Sequence, residues 1–367
     1  MFLRPRLFVL ITLLASSLAA APAPRPVVST VPPSSPLARL GGTPCPSDSA
    51  FTCITLTVPL DHFTPSDSRT LPVTFAVLAA TGRRQGMFVT ATGGPGTSGI
   101  AVADDYTATF DPQITRHFDI VFFDQRGMAL SGGLACPQAA AAFYQGDGRG
   151  QTARQEAALK TGAQTFSAGC VAEVNHPELL PYLGTDQAVE DLEQFRQLVG
   201  DSKFWLYGES YGTQYAQTYA ARHANRLAGL ILDGTVDLTL DGFQFLAQQA
   251  QAFNDTLTAA LRACNDDPAC KADMRGSAVG VYDGLAARLD NRTVPFDFPL
   301  PNGGTAHRSF AFPDLENAAA SQVYNEGDRM MFNRALAAYG ARGALAPLMR
   351  LTYLALGLDP QTLAVIP

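Results

Sequence analysis

The residue of this chain best placed for nucleophilic chemistry is Ser210, set between glycines in "WLYGESYGTQYA" from Trp205 to Ala216. The pattern is G-x-S-x-G, with the apolar run Phe204 to Tyr207 before it and the helix-forming "TQYAQTYAARH" after it. A tight strand-to-helix turn leaves no space for a Cβ at Gly208 or Gly212, so glycine at both positions fits a turn that lifts the serine above a sheet edge. A following helix adds positive potential where an oxyanion would form. The chemistry implied is attack on a carbonyl through an acyl-enzyme.

Two more stretches complement it. In "TATGGPGTSG", Gly93, Gly94 and Gly96 let the backbone approach a ligand and Pro95 stiffens the turn, so the Gly94 amide can face developing negative charge. With the amide of Tyr211, the residue after the nucleophile, Gly94 is expected to form an oxyanion hole. A phosphate loop would require GKS or GKT, and neither follows. In "FDIVFFDQRG" an apolar strand ends in Asp124, Gln125, Arg126 and Gly127, which alone reads as a strand end with a structural Asp/Arg pair.

A serine of this kind needs a base, and on this type of scaffold the acid and histidine follow the nucleophile. Only His223 and His307 do. His223 falls thirteen residues on, within the helix leaving the turn, and reads as a surface residue. His307 lies in the turn-rich "NGGTAHRS" and is the weaker alternative base. Asp233 ends a strand too early and reads as structural. The expectation is that this chain lacks the acid and the histidine, that a further C-terminal segment carries them, and that the chain alone is silent.

The elements that position these motifs are short runs of β-branched and aromatic residues: Val73 to Leu78, Met87 to Ala91, Ile120 to Asp124, Phe204 to Tyr207 and Leu227 to Leu232. Helical patterns lie between the later ones. The clearest is N-capped by Thr185, carries Ala188, Leu192, Phe195 and Val199 on one face, and stops at Gly200. Alternating strands and helices predict an α/β fold with a mainly parallel sheet covered on both faces. After Asp237 no buried-strand run is convincing, and residues 237–367 read as a helical lid over a core at 44–236.

In this order the three motifs resemble the α/β-hydrolase family of prolyl iminopeptidases and, more closely, the secreted tripeptidyl aminopeptidases, with their GGPG loop, D-x-R-G strand end and G-x-S-Y-G. "VPLDH" at Val58, "ILDG" at Ile231 and the cysteine pairs are also similar to the secreted branch. The resemblance covers roughly residues 40 to 360 and is strongest up to 237. It implies a serine peptidase with Ser210 as nucleophile, peptide substrates and no cofactor. It further implies lid carboxylates that hold a substrate's free α-amino group. Glu326 and Asp328 in "VYNEGDRMMF" are the candidates, a solvated pair being the ordinary alternative. Two positions depart from the pattern: Ala129 stands in "DQRGMALS" where a second glycine is expected, and Thr92 precedes GGPG where the iminopeptidases have histidine.

The net charge of −7 with no Lys/Arg run beyond Arg83-Arg84 argues against nucleic acid or an anionic membrane as partner. Arg4 and Arg6, an apolar stretch from Leu7 to Leu14 and small residues to Ala21 read as an export signal at 1–21. A Pro/Ser-rich linker follows at 22–43. The expected location is secreted or periplasmic. The six cysteines, in that context, are expected to pair in sequence as Cys45/Cys53, Cys136/Cys170 and Cys264/Cys270, one of fifteen possible pairings. No CxxC or histidine cluster suggests a metal.

Overall fold

The computed structural model describes residues 37, 40–150, 152–290 and 292–366; the stretch read above as an export signal and most of that read as a linker lie outside them. Seven strands form one sheet: β1 (Thr43–Pro44), β2 (Thr52–Pro59), β3 (Thr70–Leu78), β4 (Met87–Ala91), β5 (Asp119–Phe123), β6 (Phe204–Glu209) and β7 (Leu227–Asp233). Their spatial order is β1-β2-β3-β5-β4-β6-β7. The first pairings are antiparallel, and β5, β4, β6 and β7 run parallel. The five strands expected from the sequence are all present. β2 adds to them through period-two alternation, with Ile54, Leu56 and Val58 buried and Thr55 and Thr57 exposed.

Helices cover both faces. On one, α5 (Thr185–Val199) and α6 (Tyr211–His223) pack Val189, Leu192, Phe195, Tyr215 and Tyr219 against Val73, Phe75, Val89 and Val121. Phe75 and Phe195 stack at 4.1 Å. Each fully buried side chain of this kind contributes ~1.5 to 3 kcal/mol. On the other face, α1 (Gly99–Thr109) and α2 (Pro112–His117) cover Phe88, Ile120 and Phe122. α5 ends at Gly200 with φ +88°, as expected, but its N-cap is Gly184; Thr185 is the first helical residue, and its hydroxyl meets Tyr211 instead.

A second core lies apart from the sheet. It is built from α7 (Gly242–Asp266), α8 (Pro268–Met274), α9 (Ala278–Leu289), α10 (Phe312–Ala320), α11 (Glu326–Arg342) and α12 (Ala346–Ala355). Ala141 of α3 (Pro137–Tyr144) joins it, and α4 (Ala153–Glu173) packs on α3. In "CNDDPAC", Asp267 closes α7, its carboxylate caps the Cys270 amide at 2.7 Å, and Pro268 opens α8. The cap is not purely helical: β8 (Val294–Pro299) and β9 (Thr305–Phe310) form an antiparallel hairpin within the stretch read above as a helical lid without strands. Val294, Phe296 and Phe298 alternate with the outward Pro295, Asp297 and Pro299; in a two-stranded hairpin both strands are edges, where proline is tolerated.

All three expected disulfides are present. Among the described residues no helix is long and apolar enough to cross a membrane.

Candidate active site

β6 runs into α6 with no intervening loop, and Ser210 occupies the corner at φ +53°, ψ −121°. An L residue held there stores on the order of 1–3 kcal/mol of strain. Its surroundings hold it: the Ser210 amide donates to the Asp233 carbonyl at 2.8 Å, and its carbonyl accepts from the Thr213 amide and hydroxyl at 2.9 and 2.7 Å. The two glycines have separate tasks. A Cβ on Gly212 would overlap the Ala91 carbonyl at the end of β4, and one on Gly208 would overlap the Gly212 backbone. The elbow therefore exists because α6 packs its first turn directly on the backbone of β4 and β6.

The glycine loop comes to the same place. A Cβ on Gly93 would stand 3.0 Å from Ser210 Cβ and 3.6 Å from its Oγ. Gly94 has φ +116°, and a Cβ there would lie 2.6 Å from the Gly96 nitrogen, so glycine is required. Ser98 ends the loop and caps α1, its hydroxyl accepting from Ala101 at 3.1 Å and donating to Asp124 at 2.6 Å. Asp124 also accepts from the Ile100 and Leu130 amides at 3.2 and 3.0 Å. The end of β5 thereby locks the glycine loop beside the nucleophile.

Asp124 and Arg126 do not pair with each other, contrary to the simple reading of "DQRG". Arg126 is fully buried and turns to Asp191 of α5, with Nε and Nη2 donating at 2.8 and 2.6 Å, and to the carbonyls of Leu60, Tyr182 and Pro59. His62 Nε2 lies 2.7 Å from the same Asp191, while Gln187 links the His62 amide to the Asp61 carboxylate. "VPLDH" is thus one side of a buried polar joint between β2, α5 and the D-x-R-G turn. Asp191 was absent from the sequence reading, although a charge on the apolar face of α5, three residues after Ala188, was the available signal. Tyr211 closes the assembly: its hydroxyl meets Thr185 at 2.7 Å and Gln125 at 3.5 Å, and burial pushes its phenol up.

Ala129 has φ +32°, so the position that departs from glycine does need the left-handed region, at a cost on the order of 1 kcal/mol. Thr92 is buried, and its hydroxyl donates to the Thr97 carbonyl at 3.4 Å. A pair missed from sequence is Tyr106, on α1, whose hydroxyl donates to Glu209 beside the nucleophile. Tyr207 donates likewise to Asp233 at 2.9 Å. Burial, then the carboxylates, push both phenols up.

Ser210 Oγ makes no hydrogen bond among the described residues, and each of the five histidines is engaged elsewhere. His62 meets Asp191; His117 meets the Arg83 carbonyl; His176 meets Glu178. His223 meets Glu190 at 3.1 Å beside the Tyr219 ring. His307, on β9, pairs with Asp297 at 2.7 Å with its side chain 95% exposed. Glu326 and Asp328 stand in the first turn of α11, where Asn325 caps the Asp328 amide at 2.9 Å and donates to its carboxylate at 2.6 Å. Glu326 lines a cap cavity of about 480 Å³ with Arg329, Asn333 and Arg334. Neither acid bonds to a residue of the elbow or the glycine loop.

Comparison with known proteins agrees with this arrangement. The chain is 30% identical over 266 residues to serine protease Hip1 of Mycobacterium tuberculosis, covering 67% of this chain and 49% of that protein. It is 30% identical over 224 residues to carboxylesterase B of the same species, covering 59% and 42%. Tripeptidyl aminopeptidase of Streptomyces lividans is 26% identical over 208 residues, covering 54% and 38%. The chain therefore spans about half the length, or less, of these curated relatives. Residues 87–353 match the model of the alpha/beta hydrolase fold, and with the elbow, the glycine loop and the parallel sheet this makes the chain a member of the α/β-hydrolase fold family.

Proposed function

We propose that this chain is the nucleophile-bearing part of a secreted serine exopeptidase that releases short peptides from free N-termini through an acyl-enzyme. The observation that carries the reading is Ser210 at φ +53° with the Gly93 backbone against its side chain. Ser210 attacks the scissile carbonyl, and the amides of Gly94 and Tyr211 receive the oxyanion. Loss of one such donor typically costs roughly 3 to 4 kcal/mol of barrier lowering. The relatives named as a serine protease and a tripeptidyl aminopeptidase support this class. Glu326 and Asp328 remain the proposed anchors for the substrate's amine. Three intact disulfides and the export-type leader support secretion.

The base comes, in this reading, from a segment carrying a strand-borne acid and histidine and laid beside β7. Among the described strands β7 pairs only with β6, and Leu230 and Ile231 are 38% and 39% exposed on it. An uncovered, apolar edge strand is an association site. The second reading is an ester hydrolase on the same scaffold, favoured by the relative named carboxylesterase B. Peptide substrates with free and acetylated N-termini, assayed on the chain joined to such a segment, separate the two. Cleavage confined to the free amine supports the exopeptidase; equal cleavage of both, or of simple esters alone, overturns it.

A further inference from the structure

The two charges of Arg83-Arg84 have different fates, and the difference leaves a cationic surface at the end of the sheet opposite Ser210. Both lie in the turn between β3 and β4. That turn is fastened to the end of α2, where Gly82 and Gln85 donate to the carbonyls of Arg116 and His117 at 2.9 and 2.7 Å. Arg84 turns inward: its Nε donates to Asp119 at the start of β5, and its two terminal nitrogens donate to Asp201 at 2.8 and 2.6 Å. The side chains of those acids are only 3% and 13% exposed, so both are spent on Arg84 within the fold. Arg83 stays outside. A Cβ on Gly82 would stand 3.0 Å from Arg116 Cγ, so the glycine lets the Arg116 stem cross the turn beside Arg83. Lys203 lies against the same turn, its carbonyl 3.7 Å from where a Gly86 Cβ would stand.

Arg83, Arg116 and Lys203 are exposed, and their side chains form no ion pair or hydrogen bond among the described residues. His117 joins them through Nδ1, 3.3 Å from the Arg83 carbonyl. The further acid of this region, Asp111, caps the Gln113 amide at the far end of α2, at 2.8 Å. Thr81, Gln85 and Ser202 are exposed around the cations, and no large apolar side chain is exposed within 81–85, 112–117 or 201–203. β6 separates this surface from the elbow, because Lys203 precedes the strand and Ser210 follows it. A strand of that length spans roughly 20 Å.

We propose that this surface holds an acidic polysaccharide, its carboxylates on Arg83, Arg116 and Lys203 and its hydroxyls among Thr81, Gln85 and Ser202. A guanidinium grips a carboxylate through paired N–H donors, and the lysine adds a point charge. An anionic bilayer is held by apolar side chains that insert, and single-stranded nucleic acid by aromatic faces that stack; the surface exposes neither. The overall charge of −7 repels a polyanion at long range, so the attachment is local and is screened by salt. It leaves the Ser210 end of the sheet open to substrate. The inference goes beyond the hydrolase reading and is measured without turnover, so either can fail alone.

The test is calorimetric titration of the purified, disulfide-intact chain with an octamer of galacturonate, beside the uncharged maltooctaose. Saturable binding of the galacturonate octamer alone is expected, weakening severalfold between about 20 and about 150 mM salt. Arg83→Glu with Arg116→Glu should weaken it by at least about tenfold, whereas Arg154→Glu with Lys160→Glu, the same change of net charge made on exposed α4, should leave it within about twofold. Absence of saturable binding, equal binding of maltooctaose, or equal losses in the two double variants overturns the proposal. Should the reversed pair fail to fold, Arg83→Gln with Arg116→Gln decides in its place, unchanged affinity overturning the proposal. Vesicles of phosphatidylglycerol and a short DNA duplex test the other polyanions: binding of either at least as tight as that of the galacturonate octamer, and lost with Arg83 and Arg116, overturns the assignment to a sugar chain.

Discussion

The sheet and the cap treat their acidic side chains differently. Around the sheet the buried carboxylates are saturated with donors. Asp191 holds Arg126 and His62, Asp124 holds Ser98 and two amides, and Glu193 holds Arg196, Gln197 and Tyr219. In the cap, Asp314 accepts from the Ala311 amide at 2.7 Å while burial raises its carboxyl to about 6. The sheet half is a fixed platform whose polar groups are spent on holding the nucleophile's turn. In the cap, Asp314 has a single amide donor against its burial, so its charge is only partly compensated.

The largest test of that contrast is loss of the platform's ion pair. Asp191→Ala leaves Arg126 buried without its partner and should cost about 3 to 5 kcal/mol, read as a lowered midpoint in urea unfolding. Asp314→Asn, which keeps an acceptor for Ala311, should cost far less and leave the cap more stable above pH 6. Comparable losses from both would remove the distinction.

Next in size is one substitution made in each half. Gly212→Ala drives a methyl into the Ala91 carbonyl and should destabilise by on the order of 3 kcal/mol. Gly284→Ala, within α9 and with nothing within 4 Å of the added methyl, should stabilise by about 0.5 to 1 kcal/mol.

The pH dependence is smaller and has opposite signs. Asp314, raised from 3.8 to about 6, binds its proton more tightly when folded, so its contribution to stability is present at low pH and lost as pH rises through that interval. For Glu193, burial acts upward, but hydrogen bonds from Arg196, Gln197 and Tyr219 outweigh it and bring the carboxyl from 4.5 down to about 2. Its contribution is present above the ordinary value and lost only as pH falls toward about 2. Hydrogen exchange between about pH 4 and pH 6, corrected for intrinsic rates, should speed up severalfold in α10 and not in α5.

Much of the platform was legible in the sequence, because its signals are local. A glycine that touches backbone, as at 208 and 212, and a strand buried on both faces, as at Met87–Ala91, leave direct marks in residue type. The left-handed position at Ala129 was inferred from a departure at one residue. What was not legible depends on contacts distant in sequence. Arg126 and Asp191 are 65 residues apart, and nothing in "DQRG" specifies that partner. The β8–β9 hairpin was obscured by Pro295 and Pro299, which read as loop residues until both strands are known to be edges. In the cap, Asn325, which holds Asp328, reads as an ordinary cap, and the two acids give no local sign of their target.

The central claim is that the turn prepares Ser210 while none of the five histidines meets it. Its direct test is hydrolysis of a chromogenic tripeptide with a free amine by the purified chain, beside Ser210→Ala. A triad serine that loses its base loses roughly 10⁶-fold in turnover. The account predicts that the chain and the variant are both at background. Turnover that is well above background in the chain and abolished in Ser210→Ala would contradict it and make His307, paired with Asp297, the base to examine.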